Sequence, residues 1–177
     1  MKNNSNNLKV FGPNSLSKYL FYIFRAISIG FLLFIIYIDL SFLLSNVEII
    51  NARYYISLPI LGVVAKGDYQ TNVIVTITLS MLYGTIFFYV LSNIFKAFVS
   101  ETVFTESAIK HLRYFSFLNL LVGPLLYLVT HFFIMQHSDY RGIHNPILNI
   151  IFGVTALFIV HIFKKGYAIQ SDNDLTI

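Results

Sequence analysis

The stretch VIVTITLSMLYGTIFFYVLSNIF, from Val73 to Phe95, carries no charged side chain. As an α-helix with about 1.5 Å of rise per residue, it is long enough to cross a hydrocarbon core roughly 30 Å thick. Its apolar residues are not confined to one stripe, the pattern of a helix buried on every side. Three further apolar runs surround it. Tyr19 to Leu44 is interrupted only by Arg25 and Asp39, and Tyr114 to Met135 holds His131 as its one titratable group besides tyrosines. Ile147 to Phe163 follows Asn145, placed as an N-cap, and Pro146 at the first helical position, and is closed by Lys164-Lys165. The whole chain, 177 residues, is 56% hydrophobic and 11% charged, against about 25% charged in a soluble domain. These features predict an all-α membrane protein with four transmembrane helices, near 19–44, 73–95, 114–135 and 147–163.

The flanks set the topology. Met1 to Lys18 is rich in Asn and Ser around Gly12-Pro13 and reads as a flexible tail. The first run is too long for a signal-peptide core and is followed by no small-residue cleavage site, so it is expected to stay in the mature protein. Lys2, Lys9, Lys18, Arg25, Lys96, Lys110, Arg113, Lys164 and Lys165 fall on one side of a four-span arrangement, and only Arg53, Lys66 and Arg141 on the other. The basic side faces the cytoplasm by the positive-inside rule, which places both termini in the cytoplasm and the protein in a bacterial inner membrane. The same placement explains the net charge of +4 without direct nucleic-acid binding, because the basic residues flank apolar runs instead of forming a block. Between the first two spans, residues 45–72 form a longer outer loop. Its stretch from Arg53 to Ala65 fits either short strands over the helix ends or an aromatic belt at headgroup level. The three parts are thus a tail, 1–18, a four-helix membrane domain, 19–165, and a C-terminal cytoplasmic tail, 166–177.

Candidate chemistry is sparse. No Cys is present, which removes disulfides, thiolate metal sites and thiol nucleophiles. No Gly-rich phosphate loop, nucleophile elbow or acid pair within a span occurs, so the expectation is a protein that is not an enzyme. Arg25 and Asp39 lie about 21 Å apart along one helix and read as anchors at opposite faces. His131, His137, His144 and Asp139 gather on the outer side, and His111 and His161 on the inner one, but neither set has a fixed metal-ligand spacing. No cofactor is expected. Ala26 and Gly30 in the first span, with Thr76, Ser80 and Gly84 in the second, form narrow faces; packing within the bundle is favoured, and a homo-oligomer contact also fits.

Two features stand out at the inner side. In the loop before the third span, Thr105 is a good N-cap, Glu106 suits the positive start of a helix, and Phe104 is placed to staple onto Ile109. That helix is expected to run along or just beneath the bilayer surface through Leu112 and Arg113 before merging into the span. The tail, released at Gly166, keeps Tyr167, Ile169, Leu175 and Ile177 among its acids up to the last residue, which suggests docking. Along nearly its full length the chain resembles the bacterial domain-of-unknown-function family twenty-nine seventy-five. The resemblance rests on Phe104-Thr105, on Leu112-Arg113, on Gly166 and on the closing Asp174-Leu175-Thr176-Ile177. Glu101 stands where the family often has a glycine, and Asp172 where it often has a glutamate. Genes of that family commonly neighbour a small helix-turn-helix regulator of the Cro/CI type. The resemblance therefore implies a regulatory membrane protein that binds or controls such a cytoplasmic partner. The contact set would be Phe104, Thr105, Glu106, Arg113, Asp172, Asp174, Leu175, Thr176 and Ile177. The alternative is a small transporter or channel component with Arg25, Asn93 and His131 as polar lining; it is disfavoured because Thr, Ser and Gly of the second span are the only mid-depth irregularity foreseen.

Overall fold

The computed structural model describes residues 9–140 and 142–174. Four helices are long and apolar enough to cross a membrane: α1 (Leu16–Leu43), α2 (Thr71–Ala97), α3 (Glu106–Ile134) and α4 (His144–Asp174). The chain is a multi-pass membrane protein. Each helix exceeds the apolar run that foretold it, and the closest packing is between α1 and α2 and between α3 and α4. A core of Ile94 from α2, Ile109, Leu112 and Phe115 from α3, and Ala156 and Val160 from α4 ties the last three helices together.

Two expectations about helix ends are corrected. The helix capped at Thr105 does not lie along the bilayer surface: Ala108, Ile109, Leu112 and Phe115 are buried, so α3 enters the bundle from its first turn. Nor does Gly166 release α4, which continues through it to Asp174. α4 starts at His144, one residue before the foreseen cap at Asn145, a shift within the ordinary raggedness of helix ends. Of the segment expected as a flexible tail, residues 1–8 lie outside the described ones. The rest turns back under the bundle: the Gly12 amide donates to the Phe98 carbonyl at 3.0 Å, Ser15 and Ser17 are buried, and the Phe11 ring meets that of Phe98 edge-on at 5.5 Å.

α3 is not a regular helix. Wide π-type turns occupy Leu118–Val122 and Val129–Ile134. The first directly precedes Gly123-Pro124, where the proline lacks an amide and its ring crowds the carbonyl one turn back; widening the turn relieves the crowding. The Gly123 amide accordingly reaches the Leu118 carbonyl, five residues away. In the second wide turn the Met135 amide reaches Thr130 O at 2.9 Å, while the Thr130 hydroxyl donates back to Leu126 O at 2.8 Å.

The seam between α3 and α4 depends on absent side chains. A Cβ on Gly153 would stand 2.9 Å from the Leu120 backbone nitrogen, and one on Gly166 would stand 2.6 Å from the Phe104 ring. Ser116 donates across the seam to the Gly153 carbonyl at 2.9 Å. By contrast, Gly30 has open space around its Cβ position and Ala26 is exposed, so that part of the small-residue face in α1 is not used inside the bundle. Gly84 is used: a Cβ there would meet the Phe31 ring at 3.2 Å. Close to it, Ser28 donates to Thr85 O at 2.8 Å and draws α1 onto α2.

Of the two readings of the outer loop, strands are what forms. β1 (Glu48–Ile50), β2 (Arg53–Leu58) and β3 (Gly62–Asp68) make an antiparallel meander in the order β1-β2-β3. Asn51 and Ala52 both take positive φ, 51° and 59°, as a two-residue hairpin turn of the mirror-image type requires. Alternation along β2 buries Tyr54 and Ile56 against Ile38 of α1. Gly67 leaves room for the Tyr54 ring, which would lie 2.8 Å from a Cβ there.

The glycine seam yields a paired prediction. Gly153→Val should lower the thermal midpoint of the detergent-solubilised protein, at a cost of about 1–3 kcal/mol typical of overpacking. Gly30→Val should leave that midpoint unchanged within error, as read by fluorescence-detected size exclusion after heating.

Candidate functional site

The loop before α3 and the last turns of α4, both singled out in the sequence, meet at the end of the bundle where α1 and α3 begin and α2 and α4 finish. Thr105 caps α3 as foreseen, its hydroxyl accepting from the Ala108 amide at 3.1 Å, and Glu106 lies in the first turn. Phe104 reaches to α4: its ring lies over Gly166 and meets Phe163 edge-on at 5.2 Å. One step on, the Tyr167 hydroxyl donates to Glu106 Oε1 at 3.3 Å. Loop and helix end are thereby joined into one surface. Arg113 sits on the same side of α3 and lines a recess with Lys110, Lys164 and Tyr167. Asp172 is exposed on the last turns of α4 and Asp174 ends that helix. Leu175, Thr176 and Ile177 lie outside the described residues.

A second site was not foreseen. A cavity of about 420 Å³ opens among α2, α3 and α4, with Ser80, Tyr83, Tyr127, Thr130, Asn145 and Asn149 supplying polar groups. Ser80 and Tyr83 fall in the middle of α2, so these groups lie within the span. α4 starts below the outer end of α3, since Asn149 packs at Gly123 and Gly142 approaches Tyr127, and this carries Asn145 and Asn149 down to that depth. Beneath the cavity Asn119 is fully buried; its amide donates to Phe115 O at 2.8 Å, and its carbonyl faces the Tyr83 hydroxyl at 3.4 Å. Gly123 is the floor: a Cβ would lie 2.5 Å from Asn149 Nδ2 and 2.7 Å from the Tyr83 oxygen. Neutral amides and hydroxyls of this kind suit a small uncharged or zwitterionic ligand, or water.

A family model described as Protein of unknown function (DUF2975) matches residues 18–177. The chain belongs to the DUF2975 family. No curated protein and no solved structure matches it.

In this DUF2975 member the remaining intramembrane charges act as clasps. Arg25 donates to Asn93 Oδ1 at 2.6 Å with its guanidinium 4.1 Å from the Tyr89 ring centre, and Thr78 donates to Asp39 Oδ1 at 3.0 Å. Both join α1 to α2, near its opposite ends. His131 Nε2 lies 2.6 Å from the Asp139 carbonyl, and its ring lies 5.0 Å from those of Tyr127 and His137. His131, His137 and Asp139 thus gather as the sequence suggested, and His131 pins the outer connection onto α3. Among the described residues no group of three His, Cys, Asp or Glu side chains converges as a metal would need.

Mid-depth irregularity is therefore not confined to α2. The sequence signal was Gly123-Pro124 inside an apolar run, with Asn119 one turn before it and Asn149 in the next span. The cavity can be tested through the natural absence of cysteine. Ser80→Cys should react with a small water-soluble methanethiosulfonate, because the thiolate forms only where water reaches. Leu82→Cys, on an exposed side of the same helix, should stay unlabelled in lipid nanodiscs. Equal labelling of both, or of neither, contradicts a water-accessible cavity.

Proposed function

We propose that this protein is a non-enzymatic regulatory membrane protein whose basic helix-end face lies in the cytoplasm of a bacterial cell and binds a soluble protein partner. The observation that carries this reading is the seating of Phe104 on Gly166, reinforced by the Tyr167–Glu106 hydrogen bond. A loop and a helix end that served only to connect spans would not need a shared, fixed surface. From Gly166 to Asp174 α4 projects by about 12 Å at the usual rise per residue, and it presents exposed Ile169 beside Asp172. Apolar anchors rimmed by charge are what a protein contact uses: charge steers the encounter and apolar groups hold it. A helix-turn-helix regulator, implied by the family resemblance, is a fitting partner because a DNA-binding protein is basic and this projection ends in acids.

The intramembrane cavity favours a second reading, a small transporter or channel component, since polar groups at mid-depth beside broken helices are the usual setting of a transported ligand. The two readings part on mutation. Replacing Asn149 and Tyr83 by Leu and Phe should abolish transport by a transporter, whereas a regulator would keep its partner.

Two measurements test the first reading. Cysteines placed singly at Lys110 and at Glu48 should be labelled from opposite sides of intact cells, Glu48→Cys alone reacting with an impermeant reagent added outside. Deleting residues 172–177 should leave membrane insertion unchanged and abolish cross-linking of a soluble partner by a photo-reactive residue at Ile169. Undiminished cross-linking by the truncated protein would sink the docking surface.

A further inference from the structure

The recess on the lipid-facing side of the α3–α4 seam has a different character from the protruding surface beside it. Its volume is about 530 Å³, and Lys110, Arg113 and Lys164 converge on it with Tyr114 and Tyr167. Among the described residues the ion pairs are Arg53–Asp68 and His131–Asp139, so none of these three cations has a carboxylate within ion-pair distance. Glu106, the one acid at the recess, already accepts the Tyr167 hydroxyl. Three positive charges around one partly satisfied carboxylate leave a surplus of two, and an anion is the missing counterpart.

Depth and continuation identify the anion. Phe104 packs level with Gly166, and Arg113, nine residues and about 13 Å further along α3, directly precedes the apolar run from Tyr114 to Met135. That is where a cation at a helix end meets the headgroup layer. From Arg113 and Tyr114 the same face of α3 continues inward as Phe117 and Leu121, 58% and 51% exposed. From Lys164 the matching face of α4 continues as Leu157 and Val154, 40% and 39% exposed. A basic cup thus opens directly into an apolar furrow between two helices. A free phosphate would use the cup alone; a molecule that is anionic at one end and a long hydrocarbon at the other would use both.

We propose that this recess is a binding site for an anionic glycerophospholipid, with its phosphate held by Lys110, Arg113 and Lys164 and an acyl chain lying along Phe117, Leu121, Leu157 and Val154. The zwitterionic lipids, whose headgroups carry no net charge, leave the surplus uncompensated and bind less well. The site is independent of any protein partner, and it stands even if the neighbouring docking surface has none.

The test uses the full chain purified in a neutral detergent, with lipid binding read by native mass spectrometry and by the shift in thermal midpoint. Phosphatidylglycerol should bind and raise the midpoint. Phosphatidylcholine, inorganic phosphate and soluble glycerol phosphate at the same concentration should not. Lys110→Gln, Arg113→Gln and Lys164→Gln should each weaken phosphatidylglycerol binding about fivefold, the effect expected for one basic residue near an anionic lipid surface. A control variant, Lys9→Gln with Lys18→Gln and Lys165→Gln, removes three charges elsewhere at the same end and should keep the affinity. Phe117→Ser should weaken the lipid without changing the response to soluble anions. An equal shift from inorganic phosphate would reassign the recess to free anions and overturn the lipid site. An equal loss in the control variant would overturn it too, by showing that only diffuse charge is at work.

Discussion

The approach of α3 to α4 over Gly153 sets the register on which both candidate sites depend. Helices already in lipid gain nothing from hiding oil, so their association rests on close van der Waals packing and on hydrogen bonds between them. Removing the side chain at Gly153 lets α4 lie against the α3 backbone, and the Ser116 hydroxyl bonds to the carbonyl exposed there. With that point fixed, antiparallel geometry does the rest. Toward one end it sets Gly166 under Phe104, and toward the other it sets Asn149 beside Tyr83. A slip of one turn would lose the joined inner surface and the polar cavity together.

How much of this was readable in the sequence follows from what each feature depends on. The four spans and the Thr105 cap are local properties, set by run length and by one hydroxyl, and they read correctly. Gly166 reads as a helix stop when taken alone, because glycine is a poor helix former. Its actual role, admitting the Phe104 ring, exists only once α3 and α4 are side by side. The cavity was hidden for the same reason: Tyr83, Asn119 and Asn149 are each a lone polar residue in apolar text, and only register brings them together. The sequence of the loop that forms the meander fits two readings, because tyrosines serve a strand and a headgroup belt equally well. What decides it is the turn at Asn51-Ala52 and the burial of Tyr54 and Ile56 on α1, and both are tertiary facts.

Hydroxyl groups along the helices are mostly answered locally. Ser41, Thr85, Thr130 and Thr155 each return a hydroxyl proton to a carbonyl one turn back, which lets them sit in hydrocarbon at little cost. Two buried atoms depart from this rule among the described residues, Arg25 Nε and the Thr76 hydroxyl. Arg25 is compensated through its other nitrogens by Asn93 and by the face of Tyr89, so its charge is held by a hydrogen bond and an aromatic ring instead of by an acid. That arrangement makes the α1–α2 clasp at Arg25, unlike the one at Asp39, independent of the protonation of a carboxylate.

The packing of the helices chiefly as two sequential pairs, α1 with α2 and α3 with α4, bears on how the protein is made. Contacts between sequence neighbours keep contact order low, and such chains assemble quickly because little loop-closure entropy stands in the way. As the polypeptide leaves the ribosome, α1 and α2 can pair as a hairpin, with their hydroxyl and arginine clasps closed, before α3 has been synthesised. α3, with its irregular turns and polar side chains, then waits for one partner only, the next helix to emerge. Biogenesis can thus proceed pair by pair, and the polar interior need face lipid only during the brief interval between the third insertion and the fourth.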